Sequence, residues 1–247
     1  MKINILTLFP EMFEPVLGGS ILGRARKKGI LDINLIQIRD FSLDKHKKAD
    51  DYPFGGGAGM VMLADPVFRA MESIHAKGKK ALFMSPRGKV IDHQKITELA
   101  AEDELIILCG HYEGVDQRIL DYWEMEEVSI GDYVLTGGEL PAMVLIDTVA
   151  RLIPEVLSGQ ESAEEESIYS GLLEYPQYTK PREYQGMEVP EVLFNGNHKL
   201  IALWKFEQSL KLTKERRPDL FEKYINSSKE FTKEEQKILQ RIIKNAE

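Results

Sequence analysis

The chain has 247 residues, of which 43% are hydrophobic and 9% aromatic, enough to bury a core in one large domain or two modest ones. Its formal net charge of −8 argues against a protein that binds nucleic acid over its whole surface. No apolar run approaches the length of about 18 residues that a membrane span needs, no secretory leader is recognisable, and the single cysteine, Cys109, excludes an intrachain disulfide, so a soluble cytoplasmic protein is expected.

Short apolar runs alternate with helical patterns through the first half of the chain. The runs read as buried strands, and the segments between them carry apolar residues at helical spacing. Strand and helix in alternation predict an α/β domain with a largely parallel sheet. The predicted strands cover residues 2–8, 33–38, 81–84 and 105–109, and the predicted helices cover 19–28, 64–76, 92–101 and 115–123.

The second half of the chain changes character twice. Residues 139–153 are apolar nearly all round apart from Asp147 and Arg151, which indicates a buried helix or an oligomer face. Residues 155–170 are rich in Glu, Ser and Gly, as in a mobile linker. We therefore predict an α/β domain over 1–154, a flexible acidic linker over 155–170 and a small helical domain over 171–247, with helices at 197–211, 217–224 and 232–244.

Charge is divided unevenly between these parts. Residues 171–247 carry a net charge of +2, with 14 basic against 12 acidic side chains, which leaves −10 for the first 170 residues. The acidity of the chain therefore belongs to its front part.

Glycine-rich segments need separate interpretation. Gly55-Gly56-Gly57-Ala58-Gly59 could let a backbone approach a phosphate, but no Lys-Ser or Lys-Thr pair follows it, so it is not a P-loop. A flexible surface turn explains it equally well. The chain also lacks G-x-G-x-x-G between a strand and a helix, which argues against a Rossmann-type site.

Three further loops, at residues 84–88, 108–114 and 129–141, could converge on one pocket. Ligands of open α/β sheets bind at the carboxyl ends of the strands, where these loops would meet. Glycines with free backbone amides and carbonyls suit an adenine edge and a ribose. Tight turns explain each loop taken singly.

Several motifs together bring a known family into view. Residues 130–135 followed by 137–143 (IGDYVL and GGELPAM) closely resemble the signature of the bacterial tRNA (guanine-N1) methyltransferases, the TrmD family of the SPOUT superfamily. The resemblance extends over nearly the whole chain. Other matching stretches are residues 8–13 (LFPEMF), 50–57 (DDYPFGGG), 109–114 (CGHYEG), 175–181 (YPQYTKP) and 196–198 (GNH).

This resemblance implies a SPOUT-type α/β domain with a deep trefoil knot, followed by a C-terminal tRNA-binding domain. The knot would hold S-adenosylmethionine, the protein would be a homodimer with sites between subunits, and the substrate would be tRNA with guanosine at position 37. Carried over position by position, the cofactor-binding residues would be Ser85, Pro86, Gly110, Glu113, Ile130, Gly131, Asp132, Tyr133, Val134, Leu135, Gly137, Gly138 and Pro141.

Methylation at N1 of guanine needs a base for the N1 proton and a cation for the charge that builds on O6. By resemblance Arg151 is the cation; from the sequence alone it could equally serve the C-terminus of its helix or pair with Asp147. The family has an aspartate in the linker as the base, whereas this chain has Glu166. Glutamate could serve if the linker adjusts, or a neighbour, Glu164 or Glu165, could replace it.

His46 and Asp50 match positions that contact tRNA bases, although each could instead cap a loop. Basic clusters at residues 24–28, 45–48 and 211–217 could contact phosphates. The family also implies Mg²⁺, which the sequence assigns to no residue, and no Cys/His spacing indicates a zinc site.

Two other functions remain open at this point. The change from aspartate to glutamate permits an inactive RNA-binding relative, which would bind cofactor or tRNA without turnover. A nucleotide hydrolase built on residues 55–59 would be the third possibility, but it lacks a phosphate-binding lysine motif.

Overall fold

A computed structural model describes residues 1–157, 168 and 170–244 of the chain. Two compact units are present, Met1–Ser158 and Gly159–Glu247. Most of the predicted linker, including Glu166, lies outside the described residues. Within the described ranges, no helix combines the length and the apolar character needed to cross a membrane.

The first unit is built on a parallel five-stranded sheet, which confirms the predicted α/β class. The strands of this unit are β1 (Lys2–Thr7), β2 (Asp32–Gln37), β3 (Asp50–Asp51), β4 (Val61–Met62), β5 (Lys80–Val90), β6 (Glu104–Cys109) and β7 (Glu126–Ser129). The order in the sheet is β2-β1-β6-β5-β7, and every neighbouring pair is parallel. Strands β3 and β4 form a separate antiparallel pair.

Helices cover both faces of the sheet. The side chains of each central strand point alternately to the two faces, and both sets are apolar, so each face needs helices to bury it. In β6, Leu105 and Ile107 join the cluster on one face, whereas Ile106 and Leu108 join the cluster on the other. All four side chains are at most 1% exposed. The helices are α1 (Glu14–Leu17), α2 (Ser20–Lys27), α3 (Ala64–Ser73), α4 (His93–Ala100), α5 (Gln117–Tyr122) and α6 (Glu139–Leu152).

Two features of the sheet differ from the expectation. Strand β7 was not predicted, because it is short and opens on Glu126 and Glu127; Glu126 is held by Lys80 at 2.7 Å and by Lys95 at 2.8 Å. Strand β5 is much longer than the predicted 81–84. Both Met84 and Lys89 align with Val128 of β7, so the chain between them loops out of the sheet.

The second unit has a small core of its own. It contains the hairpin β8 (Glu183–Tyr184) and β9 (Met187–Glu188), followed by α7 (His198–Arg216), α8 (Pro218–Ile225) and α9 (Lys233–Lys244). Helix α7 continues beyond the predicted residue 211, and the side chain of Asn197 caps it by accepting from Leu200 N–H at 3.2 Å. Burial raises the pKa of Tyr224 to about 12. The buried residues of this core are Leu172, Leu210, Phe221, Tyr224, Leu239 and Ile242.

Candidate active site

A cavity of about 300 Å³ lies at the carboxyl ends of the central strands, where the loops that follow β6 and β7 meet the looped-out part of β5. This is the edge at which open parallel sheets bind their ligands. Its lining is Phe83, Met84, Ser85, Pro86, Arg87, Gly110, His111, Tyr112, Glu113, Gly114, Val115, Val128, Ser129, Ile130, Gly131, Tyr133, Val134, Leu135, Thr136, Gly137, Gly138 and Pro141.

The wall from β5 is fixed in place. The hydroxyl of Ser85 accepts from Arg87 N–H at 3.2 Å. The guanidinium of Arg87 makes two hydrogen bonds to the carboxylate of Glu127, at 2.8 and 2.9 Å. Gly88 closes the loop against the next strand, since a Cβ there would stand 2.4 Å from the backbone of β7. The loop therefore presents backbone groups and short side chains to the cavity.

The other two loops are joined to each other by backbone contacts. Gly138 N–H donates to Gly110 O at 2.7 Å, and His111 and Gly137 form an antiparallel bridge. A Cβ at position 138 would lie 2.8 Å from Cys109 Cα and from Gly110 N. Only glycine allows the two loops to approach this closely.

A buried polar group lies beneath these loops. The side chain of Glu139, the first residue of α6, is 2% exposed and accepts from the Thr7 hydroxyl at 2.8 Å. Its other oxygen lies 4.0 Å from Nδ1 of His111, a buried nitrogen that has no hydrogen-bond partner among the described residues. The imidazole of His111 therefore lines the cavity, and the carboxylate of Glu139 lies behind it.

The glycine-rich loop borders the same cavity. Glu113 N–H donates to Met60 O at 3.0 Å, and the side chain of Glu113 packs where a Cβ of Gly59 would otherwise lie. Residues 55–57 have positive φ values with open space around each Cα. The loop therefore flanks the cavity without filling it.

The structure brings together nearly all residues predicted to hold a cofactor. All of the thirteen predicted residues line the cavity except Asp132, which is exposed beside it. They come from three segments that are distant in the chain, and the sheet order places those segments at one edge.

Comparison with known proteins now identifies the family. The model of the tRNA (Guanine-1)-methyltransferase TrmD family matches residues 1–223. The chain belongs to this family. The tRNA (guanine-N(1)-)-methyltransferase of Ruminiclostridium cellulolyticum is 55% identical over 92% of this chain and 99% of the relative. Proteins of the same name from Alkaliphilus oremlandii and Clostridium tetani are 54% and 51% identical, and each alignment covers at least 96% of both chains.

The other predicted site residues that the structure describes lie outside the cavity lining of this methyltransferase-family chain. Arg151 is half-buried in the last turn of α6. His46 is exposed in the loop before β3, where its N–H donates to Asp44 at 2.7 Å. Asp50 is buried in β3, 4.0 Å from the guanidinium of Arg39. Arg39 in turn donates to the hydroxyl of Tyr112 at 3.1 Å, which links Asp50 to the cavity wall.

Sequence reasoning missed several residues of the site. His111 and Tyr112 stand within the matching CGHYEG motif, yet only Gly110 and Glu113 were carried over from it. Tyr112 has a φ of 59°, a left-handed conformation that costs a non-glycine residue free energy and often marks functional loops. Glu139 gave a usable signal, because a carboxylate directly after two glycines opens an otherwise apolar helix. Within the described part of the chain, no group of three His, Cys, Asp or Glu side chains could hold a metal ion.

Cys109 supplies a test of how firmly this site is packed. Burial, together with the nearby charge of Glu139, raises the pKa of the Cys109 thiol well above its usual range. Because the thiolate is the reactive form, a thiol reagent at pH 8 is expected to modify the native protein at least about 1,000-fold more slowly than the urea-unfolded chain. The absorbance of the coloured thiolate that Ellman's reagent releases measures both rates. Comparable rates would show that the end of β6 opens freely.

Proposed function

We propose that this chain transfers a methyl group from S-adenosylmethionine to N1 of guanosine 37 in tRNA, as a cytoplasmic homodimer. Membership of the tRNA (guanine-N1) methyltransferase family supports the reaction class. The observation that carries the proposal is the cavity at the strand ends, because the residues that match the family's cofactor site line it together.

The cavity fits an adenosine-type ligand. Gly110, Gly137 and Gly138 let the loops of the cavity wall pack closely, because a Cβ at each position would stand 2.4 to 2.8 Å from neighbouring protein atoms. Backbone amides and carbonyls from three loops are available for the adenine edge and ribose, and apolar side chains such as Ile130 and Leu135 can cover the adenine faces. The chain crossing that brings Gly138 onto Gly110 is where we place the family's trefoil knot, a rare exception among folds.

A second copy of the chain would complete the site. Arg151 lies ten residues after Pro141 on one helix, about 15 Å along its axis at 1.5 Å per residue. That separation is longer than an arginine side chain, so Arg151 of the same copy would not reach a base held against Pro141. The same helix exposes Leu140 (51%) and Val144 (45%), apolar side chains that suit a subunit interface.

Bound S-adenosylmethionine would supply the methyl group. The carboxylate of Glu166 takes the proton from N1 as N1 forms its bond to the methyl carbon. The guanidinium of Arg151 donates hydrogen bonds to O6 and stabilises the charge that develops there. Since the target base is stacked in the free anticodon loop, it must first be turned out of its stack.

Contacts to the tRNA would come from residues beside the cavity and from the second unit. His46 is exposed between Lys45 and Lys47, and Asp50 is tied through Arg39 to the cavity wall. Residues 171–247 have a net charge of +2, whereas the first 170 residues have −10, so phosphate contacts are favoured in the second unit.

A methyl-transfer assay tests this function. Wild-type protein with labelled S-adenosylmethionine should label a tRNA transcript that has guanosine at position 37 and should leave the matched transcript with adenosine 37 unlabelled. Glu166→Gln should lower the rate by about 100-fold or more, because it removes a general base. Unimpaired transfer by that variant would place the base elsewhere, with Glu164→Gln and Glu165→Gln as the next variants.

A second function is favoured by one observation, the glutamate at position 166 where the family has aspartate. An inactive relative would bind S-adenosylmethionine and tRNA, measured by calorimetry and gel shift, and yet transfer no methyl group in the same assay. That result would replace the enzyme with an RNA-binding protein of the same fold.

A further inference from the structure

The buried carboxylate of Glu139 has no role in the reaction as described so far. It is 2% exposed, and its polar neighbours among the described residues are the Thr7 hydroxyl at 2.8 Å and Nδ1 of His111 at 4.0 Å. The salt bridges of the described residues include none between Glu139 and a lysine or arginine. A buried carboxylate without a cationic partner is costly, which indicates that the site gains something from its charge.

The position of the carboxylate within its helix lowers part of this cost. Glu139 is the first residue of α6, a helix of 14 residues, and its charge therefore lies at the positive end of the helix dipole. Glu139 also acts on a neighbouring group. Burial is the larger cause of the raised pKa of Cys109, and the charge of Glu139 adds to it. Glu139 thus lies where the helix dipole favours a negative charge.

Only the backbone of Gly137 separates the Glu139 carboxylate from the cavity. A Cβ built on Gly137, which lines the cavity, would stand 2.4 Å from Glu139 Oε2 and 2.7 Å from His111 Nδ1. The backbone of this one glycine therefore lies between the charge and the ligand space. At such a distance, in a medium that excludes bulk water, a charge acts strongly on any ligand charge.

The charged side chains that line the cavity act more weakly on a bound ligand than Glu139 does. Arg87 is neutralised by its two hydrogen bonds to Glu127. Glu113 is exposed to solvent at the side of the glycine-rich loop, where water screens it. Glu139, behind the backbone of Gly137, is consequently a buried fixed charge next to the cavity.

We propose that Glu139 is a specificity-determining residue that makes the cavity prefer a cationic sulfonium ligand to the corresponding neutral thioether. This rests on the proposed function, in which the ligand is S-adenosylmethionine. Methyl transfer breaks the sulfur–carbon bond and forms the bond from N1 to that carbon. The N1 proton goes to the linker base, and sulfur keeps the electron pair and loses its positive charge. The attraction to Glu139 therefore ends when the product forms, which favours exchange of product for a new substrate molecule.

Calorimetric dissociation constants for S-adenosylmethionine and S-adenosylhomocysteine test the proposal without turnover. In Glu139→Gln, which keeps the shape and an oxygen for Thr7, the preference for the sulfonium over the thioether should fall by about tenfold relative to wild type, the order expected for one charge at an effective dielectric of about 20. Thr7→Val is the matched control, because it removes the hydrogen bond and keeps the charge. It should weaken both ligands by the same factor.

Three outcomes decide the matter. A Glu139→Gln variant that weakens both ligands equally overturns the proposal and leaves the proposed function standing. Wild-type protein that binds neither ligand overturns the proposed function and this inference with it. If Glu139→Gln fails to fold, wild-type protein is compared on the thioether and on sinefungin, whose protonated amine replaces the sulfonium. Tighter binding of the amine supports the proposal, and equal or weaker binding overturns it.

Discussion

Arg151→Ala is expected to lower kcat for methyl transfer by about 10²- to 10³-fold, the usual loss when one donor to a developing oxyanion is removed. The guanidinium presents fixed donors that meet O6 as charge builds there, whereas alanine leaves that charge to poorly placed water. The measurement is single-turnover methyl transfer at saturating S-adenosylmethionine and saturating tRNA, so that weakened binding does not contribute to the rate.

Two controls separate this role from a structural one. Arg151→Lys keeps the charge without the planar fork and should fall between wild type and alanine. Asp147→Asn, one turn earlier on the exposed side of the same helix, should leave kcat unchanged. If Arg151 serves only the end of α6, its alanine variant will melt at a lower temperature while kcat stays within about threefold of wild type.

Gly138→Ala is expected to weaken S-adenosylmethionine binding by about 10- to 100-fold, from the 1–3 kcal/mol that overpacking typically costs. The added Cβ would lie 2.8 Å from Cys109 Cα and from Gly110 N, both of them backbone atoms that no rotamer change can move aside. The two loops must separate, and the hydrogen bond from Gly138 N–H to Gly110 O lengthens. Calorimetry measures the affinity, and thermal unfolding checks that the variant remains folded.

Thr136→Ala is the matched control for this variant. Thr136 lines the same cavity, but its side chain is exposed, so the substitution should change the affinity by less than about threefold. Gly138→Ala that binds as tightly as wild type would show that the close approach of the two loops is not needed for the ligand.

Mixing these two variants reveals which copies build one site. If the cavity of one subunit works with Arg151 of the other, heterodimers of Arg151→Ala and Gly138→Ala contain one intact site. At a concentration of S-adenosylmethionine that saturates wild type but lies well below the dissociation constant of Gly138→Ala, an equal mixture should then recover about a quarter of wild-type activity after subunit exchange. If both groups come from the same copy, the mixture stays as inactive as its components, and the argument from the length of α6 fails.

The fold could be predicted from the sequence wherever a segment was buried on both faces. The runs at β1 and β6 can be recognised without knowing their neighbours, because parallel strands covered on both faces are largely apolar. Strand β7 was not predicted, because its first two residues are charged and only partly buried. Glu126 is tolerated in it because Lys80 and Lys95 lie beside it in the folded protein, and such pairing is invisible before the sheet is assembled.

The candidate site was predictable where its residues form contiguous motifs. Gly137, Gly138 and Pro141 lie in one stretch that matches the family, and the sheet brings that stretch to Ser85 and Gly110. The contribution of His111 and Glu139 could not be predicted in this way. Their relationship depends on a 4.0 Å approach between residues that are far apart in the chain, and on burial that only the fold creates.

The loop of β5 also determines how a ligand can reach the cavity. Because Met84 and Lys89 flank it and both align with Val128, the loop is anchored at each end and cannot swing outward without unpairing the sheet. The loops of Gly110 and Gly138 are likewise bonded to each other. The remaining side is bordered by the glycine-rich loop, in which Gly55, Gly56 and Gly57 have open space around them. Traffic of small molecules should therefore pass on this side. Alanine at residues 55–57 would disfavour their positive φ values and so change the conformation of the loop, which should alter the rates of association and dissociation by similar factors and leave their ratio nearly constant.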